Sequence, residues 1–231
     1  MDIGKSFGYV FEDDQWIPKI LIAAAILLGG ILFFWLLFIP SILAALLLAG
    51  YGVEITRRVI NRNPQILPEW ENWEALIVDG LKYWIISIVY SLPMLLIWMC
   101  LGIPGAALSQ DAPGWSAAFN SFAGCLNVLW GLVVGILMPA AVAFFVANDD
   151  LGAAFRFGDV FNFVRDNFSN YLIVLVMSWV TGIIGFLGFL LCLLPVLVTG
   201  PYSGWVMNHL YGEAYLDGMA RASQPVLEES A

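Results

Sequence analysis

Six predominantly apolar runs follow one another along the chain, at 17–39, 41–60, 75–101, 117–147, 171–191 and 196–215. A helix needs roughly 20 such residues to cross the ~30 Å hydrocarbon core of a bilayer. In lipid every backbone N–H and C=O must be paired within the segment, which makes each run a helix. Composition points the same way. The chain is 61% hydrophobic and only 12% charged, against about 25% charged in a soluble domain. It holds too little polar material to cover a surface facing water. The expected fold is all-α: a polytopic membrane helix bundle, six transmembrane helices in three hairpins with interfacial amphipathic segments.

Charge sets the orientation. With six crossings all nine basic residues fall on one side. Lys5 and Lys19 precede or begin run one. Arg57, Arg58, Arg62 and Lys82 lie between runs two and three or at their ends. Arg156 and Arg165 lie between runs four and five, and Arg221 follows run six. Five or seven crossings would divide them. The positive-inside bias makes this side cytoplasmic, with both termini there and the chain in the plasma membrane. Tryptophan fits the same frame, since indole prefers the headgroup level. Trp16, Trp70 and Trp73 fall near the inner boundary and Trp35, Trp98 and Trp115 near the outer one, whereas Trp130, Trp179 and Trp205 lie deeper, as packing residues.

Pro40 and Pro195 mark very short turns after runs one and five, and a Gly- and Pro-rich stretch at 102–115 separates runs three and four. The pentapeptide FGYVF at 7–11 recurs as FGDVF at 157–161, each ahead of a hairpin, and WENWEALIVDGLKYW at 70–84 leads into the middle one. Residues 1–219 therefore read as one transmembrane domain, with hairpins about 1–64, 65–150 and 151–219, and 220–231 as a short disordered cytoplasmic tail. In 155–168 Phe157, Phe161, Phe163 and Phe168 alternate with Arg156, Asp159, Arg165 and Asp166. Such a segment lies in the headgroup plane, or else extends the helices and packs on its neighbours.

Acidic residues outnumber basic ones 18 to 9, for a net charge of −9. This argues against nucleic acid as a partner, because phosphate demands basic patches, and it matches the acidic balance of proteins from a high-salt cytoplasm. Asp2, Glu12, Asp13 and Asp14 precede run one where a cleavable signal needs positive charge, so run one is expected to stay as a helix. Cys100, Cys125 and Cys192 have no disulfide or zinc spacing. No P-loop, G-x-S-x-G or H-E-x-x-H pattern is present, and one histidine excludes multi-His metal sites. No cofactor, metal site or catalytic residue is assigned.

Polar groups inside a membrane are costly, so each is a candidate. Glu54 has Arg57 and Arg58 at i+3 and i+4 and reads as an interfacial ion pair or a buried carboxylate in a proton path. His209, with Glu213 at i+4, reads as a structural hydrogen bond or a relay. Asn120 and Asn127 share a face of run four, near Gly131 and Gly135 of a G-x-x-x-G pattern, and read as helix packing or a polar groove. Gly182, Gly185 and Gly188 read as packing too. Pro139 is expected to kink run four. Asp149 and Asp150 read as loop-solvating residues before a carboxylate metal site.

The stretches DIGKSFGYVFEDDQWIPKILI, LPEWENWEALIVDGLKYWIISIVYSLP and MPAAVAFFVANDDLGAAFRFGDVF together resemble a prokaryotic, mostly archaeal membrane family, the domain-of-unknown-function family 4013. The resemblance runs from Asp2 to about Asp217 and includes haloarchaeal members. It implies a membrane architecture and defines no activity. The expected role is a non-enzymatic scaffold in the bilayer that binds lipid or a membrane or cytoplasmic protein. The alternative is a small transporter or permease with a polar path near Glu54 and His209.

Overall fold

The computed structural model describes residues 2–34, 38–190 and 195–223. Among these the regular structure is helical throughout. Helix α1 (Ile3–Gly8) and a 3₁₀ turn (Tyr9–Glu12) precede α2 (Trp16–Leu32), and α3 (Ile39–Ile60) follows. Next come α4 (Trp73–Ile97), a π turn (Trp98–Gly102), α5 (Ile103–Ala107) and α6 (Pro113–Asn148). A 3₁₀ turn (Leu151–Phe155), α7 (Phe157–Asp166), α8 (Phe168–Leu190) and α9 (Val196–Ala222) complete the chain.

The long helices pack in sequence order, α2 on α3, α4 on α6 and α8 on α9. Four segments are long and apolar enough to cross a membrane: Ile39–Ile60, Trp73–Ala107, Pro113–Asn148 and Phe168–Leu190. Ile3–Glu12 and Trp16–Leu32 make a fifth only if counted together, and they are bent by 95°. The expected six reduce to four or five by this measure. One reason is that α2 stops at Leu32, seven residues short of its apolar run. The other is that α9 carries Asn208, His209 and four glycines among its first 23 residues. It packs against α2, α3, α6 and α8, so it faces protein more than lipid and has no need of an apolar surface all round.

Several local expectations change. The stretch 102–115 is largely helical: α5 fills 103–107 and α6 already begins at Pro113. The π turn just ahead has a cause. In a regular α turn the Pro104 ring would clash with the carbonyl of Cys100, and a wider turn relieves it. Helix α6 runs through Pro139 without a break in assignment. Of the lead-in to the middle hairpin at 70–84, only 70–72 are non-helical, as the end of a strap at 61–72, and 73–84 are already the start of α4. Helix α9 continues through Arg221 to Ala222, into the expected tail, of which 224–231 lie outside the described residues. Trp35 and Cys192 also lie outside them. Trp70 is buried in the core, and Trp179, expected to pack, is 64% exposed on α8.

In several helices the buried residues collect toward one end: most of those in α3 and α6 lie in the second half, and the majority in α4 and α8 lie in the first half, whereas those of α9 are spread along its length. These halves share an end of the bundle. Conversely, Phe122, Val128 and Leu129 of α6 and Ile183, Phe186 and Phe189 of α8 stay exposed at the far end. The bundle is tight at one end and open at the other, and the tight end is where the charges are.

Glycines create the tightest contact. A Cβ on Gly50 would overlap the Leu76 carbonyl oxygen, and a Cβ on Gly80 would overlap that of Leu46. Helices α3 and α4 therefore touch reciprocally, backbone to backbone. Gly188 packs as closely on Thr199. The G-x-x-x-G pair behaves differently: a Cβ on Gly131 would meet only Met94 Cε at 3.8 Å, and one on Gly135 would meet the Leu175 side chain at 2.7 Å. Gly182 has open space and Gly185 has Ser203 Oγ at 3.5 Å. Gly50→Ala or Gly80→Ala should each lower stability in detergent by about 1–3 kcal/mol, because backbone cannot yield. Gly131→Ala should be neutral or stabilising by up to about 1 kcal/mol, since alanine favours helix. Denaturant unfolding followed by circular dichroism separates the two outcomes.

Candidate functional site

The charged end is built from the first turn of α2, the last turns of α3 and α9, the first turns of α4, and the strap 61–72. Lys19 sits at its centre, 2% exposed, at 2.8 Å from Asp13 Oδ2 and 2.7 Å from Glu69 Oε1. It also donates to the Leu67 carbonyl at 3.2 Å. A buried ammonium is tolerable only with such partners. Trp70 Nε1 donates to the Lys19 carbonyl at 3.1 Å and Tyr51 Oη to the Pro68 carbonyl at 2.8 Å. The Tyr51 ring lies between Trp70 and Trp205, with centroids at 4.2 and 5.0 Å. Arg58 Nη1 reaches the Gln65 carbonyl at 3.1 Å. The strap is thus fastened from α2 and α3 together.

Glu54 accepts from both neighbours one turn on, Arg57 Nη1 and Arg58 Nε. Arg57 reaches across to Asp79 of α4 at 2.8 Å, and Lys82 closes on Asp79 at 3.2 Å. The chain of charges Arg58–Glu54–Arg57–Asp79–Lys82 ties α3 to α4 just beyond the glycine crossing. Lys82 also lies over the Phe145 ring of α6 at 5.4 Å.

His209 is fully buried in α9. Its Nδ1 is 3.0 Å from Ser6 Oγ, and the Ser6 hydroxyl gives its own hydrogen to the Asp2 carbonyl at 3.1 Å. Ser6 must then accept, which assigns the Nδ1–H tautomer. The Tyr9 ring stacks on the imidazole at 4.4 Å, and Tyr202 Oη donates to the Phe7 carbonyl at 2.8 Å. The imidazole holds the N-terminal segment down on α9. Glu213, one turn on, makes no hydrogen bond to it and instead lines a surface pocket with Lys5 and Arg62.

Asn120 and Asn127 donate to the Ser116 and Ala123 carbonyls, both within α6, at 2.9 and 3.0 Å. Other asparagines bridge helices instead: Thr56 Oγ1 of α3 donates to the backbone carbonyl of Asn208, 2.9 Å away, and Asn208 packs directly on Gly52, while Asn170 of α8 donates to Asp217 of α9 at 2.8 Å. Asp150 caps the turn at Gly152 N and pairs loosely with Arg156, 3.7 Å away. Glu54 and His209 do not share a pocket: Glu54 lines one of about 240 Å³ with Arg57 and Asp79, and Asn127 lies on α6, in the other half of the bundle.

The family model described as a protein of unknown function, DUF4013, matches residues 20–196. The chain belongs to this family. No curated protein and no solved structure matches it. The DUF4013 match takes in Glu54, the strap, Asp79 and the α3–α4 glycines. His209, Glu213 and the N-terminal segment fall outside it. Lys19, Asp79 and Ser6 were not singled out from sequence. The signal for Lys19 was available, as a lone cation inside an apolar run with an acid six residues back. The partnership of Asp79 with Arg57 had none, because it depends on the α3–α4 crossing.

Burial pushes the Asp13 carboxyl up, but hydrogen bonds from Lys19 and the Gln15 N–H outweigh this and hold it below the usual carboxylate range. Its stabilisation is therefore complete above about pH 4 and is lost as pH falls through the lowered value. Asp13→Asn should flatten the acid side of the melting-temperature profile below about pH 4. Lys19→Met should cost about 1–3 kcal/mol at pH 7 by leaving two carboxylates facing each other, read by the same melting curves.

Proposed function

We propose that this is a non-enzymatic protein of the plasma membrane that crosses the bilayer six times as three hairpins, with both termini cytoplasmic. Its charged end is a platform for lipid or for a membrane or cytoplasmic protein partner. The carrying observation is the pair of short amphipathic elements at that end. In the repeated pentapeptides Val10 and Val160 are buried against the bundle, while Phe11 and Phe161 are exposed by 56% and 57%. Phe157, which opens the second copy, and Phe168 beyond it are exposed as well. Both elements pack on the second half of α9, the first through Ser6 and Tyr9 on His209, the second through Phe163 against Gly218 and Tyr215. Two matched segments with phenylalanine outward suit the headgroup plane.

Topology is testable by single cysteines in a variant lacking the native three. Positions 5, 62, 159 and 221 should label only from the cytoplasmic side, and position 110 only from outside. Labelling of 221 from outside would show that α9 does not cross. The separation of Glu54 from His209 favours a platform over a small transporter or permease. Substitution of both by glutamine should lower stability but leave solute flux through the folded protein in proteoliposomes unchanged, and a collapse of flux would support the carrier instead. A platform should retain a protein or lipid through mild detergent purification; a chain that copurifies with neither overturns it.

A further inference from the structure

Seven of the nine basic side chains are ion-paired within the molecule: Lys19, Arg57, Arg58, Lys82, Arg156, Arg165 and Arg221. In a chain with twice as many acids as bases, an unpaired cation is the exception. Among the described residues the two exceptions are Lys5 and Arg62, and both line one pocket of about 480 Å³. The same pocket is lined by Glu12 and Glu213, which also have no ionic partner among the described residues. Two positive and two negative groups, drawn from four separate elements, converge on one concavity and leave one another unpaired. Its wall is apolar at Val59 and Leu216. Asp217, which also borders it, is already held by Asn170 and Arg221.

Arg62 is placed there at a cost. It ends α3 with φ 53°, in the left-handed region. Arg62 N–H bonds to the Val59 carbonyl at 2.9 Å and Asn63 N–H to the Arg58 carbonyl at 2.8 Å. This is the helix-ending arrangement in which glycine is favoured at the left-handed position. A non-glycine residue there is disfavoured by about 1 kcal/mol, and among the described residues the arginine side chain makes no hydrogen bond or ion pair in return. Guanidinium and ammonium together suit an oxyanion such as phosphate. The carboxylates of Glu12 and Glu213 suit a primary ammonium group.

We propose that this pocket binds a zwitterionic ligand that carries both a phosphate and a primary ammonium. Lys5 and Arg62 take the phosphate, and Glu12 and Glu213 take the ammonium. The volume lies in the range of small-ligand sites. The ligand is either the headgroup of an aminophospholipid in the facing leaflet or a soluble phosphoamine of the same chemistry. The lipid source rests on the membrane placement proposed above; the charge pattern does not.

The test uses the full chain in detergent and in nanodiscs. O-phosphoethanolamine added in detergent, or phosphatidylethanolamine retained from nanodiscs in native mass spectrometry, should bind the wild type. Lipid retained without a response to the free compound identifies the lipid as the source, and the reverse identifies the soluble compound. Lys5→Gln and Glu213→Gln should each weaken binding by about tenfold or more, the loss of one charge-assisted contact. Arg62→Gly is the decisive variant. It should abolish binding while melting at or above the wild-type temperature, because it relieves the left-handed backbone. Inorganic phosphate or phosphatidylglycerol binding as well as the zwitterion would overturn the assignment of the carboxylates. Binding of neither zwitterionic probe, or unchanged binding in Arg62→Gly, would overturn the site. Cysteine labelling and copurified partners are read independently, so failure here leaves the topology and platform standing or falling on their own measurements.

Discussion

Helix α3 comes closer to its neighbours than side chains allow, and the charged end is arranged around that fact. Gly50 meets the α4 backbone at Leu76, Gly80 of α4 meets the α3 backbone at Leu46, and Gly52 meets Asn208 of α9. In lipid there is little hydrophobic force between apolar helices, so association rests on close packing and hydrogen bonds. Backbone contact supplies the first, and the Thr56 hydroxyl on the Asn208 carbonyl supplies the second. With α3 pinned on two sides, its last turns carry Glu54, Arg57 and Arg58 to fixed positions within reach of Asp79 and the strap.

The ionic network is costly in itself. Each charge taken from water loses hydration that its partner only partly restores. The arrangement is therefore better understood as registration than as stabilisation. The Arg57–Asp79 contact forms only if α3 and α4 cross at the glycines, and Lys19 finds both Asp13 and Glu69 only if the strap lies across α2. A wrongly packed bundle would leave these charges unpaired. Among the described residues the opposite end has no ion pairs, and its helices present phenylalanine, leucine and isoleucine outward.

Much of this was legible in the residues. The apolar runs located all six long helices, the basic residues marked one end, and the repeated FG-x-VF placed two elements whose valines and closing phenylalanines occupy matching environments. Glu54 was recognisable as an ion pair because its partners are one turn away on the same helix. His209 was recognisable as a buried polar group, but its partner was not: Glu213 lies at helical spacing, while Ser6 lies 203 positions distant. The glycines misled for the same reason. Gly131 and Gly135 carry the familiar spacing on one helix, yet close approach depends on what stands opposite, and that is Met94 and Leu175 side chains rather than backbone.

Local spacing and solvent preference are properties of the chain itself. They determined the helical class, the apolar runs, the gathering of positive charge, and the family to which the chain belongs. Pairing across helices is a property of the packed bundle. Only the tertiary structure decided that Lys19 is buried between two acids, that Asp79 holds Arg57, that α9 is enclosed by four long helices and so has a less apolar sequence, and that Lys5 and Arg62, the basic side chains without an ion pair among the described residues, line one pocket. Those outcomes turn on distances between residues far apart in the chain, and periodicity along one helix carries no record of them.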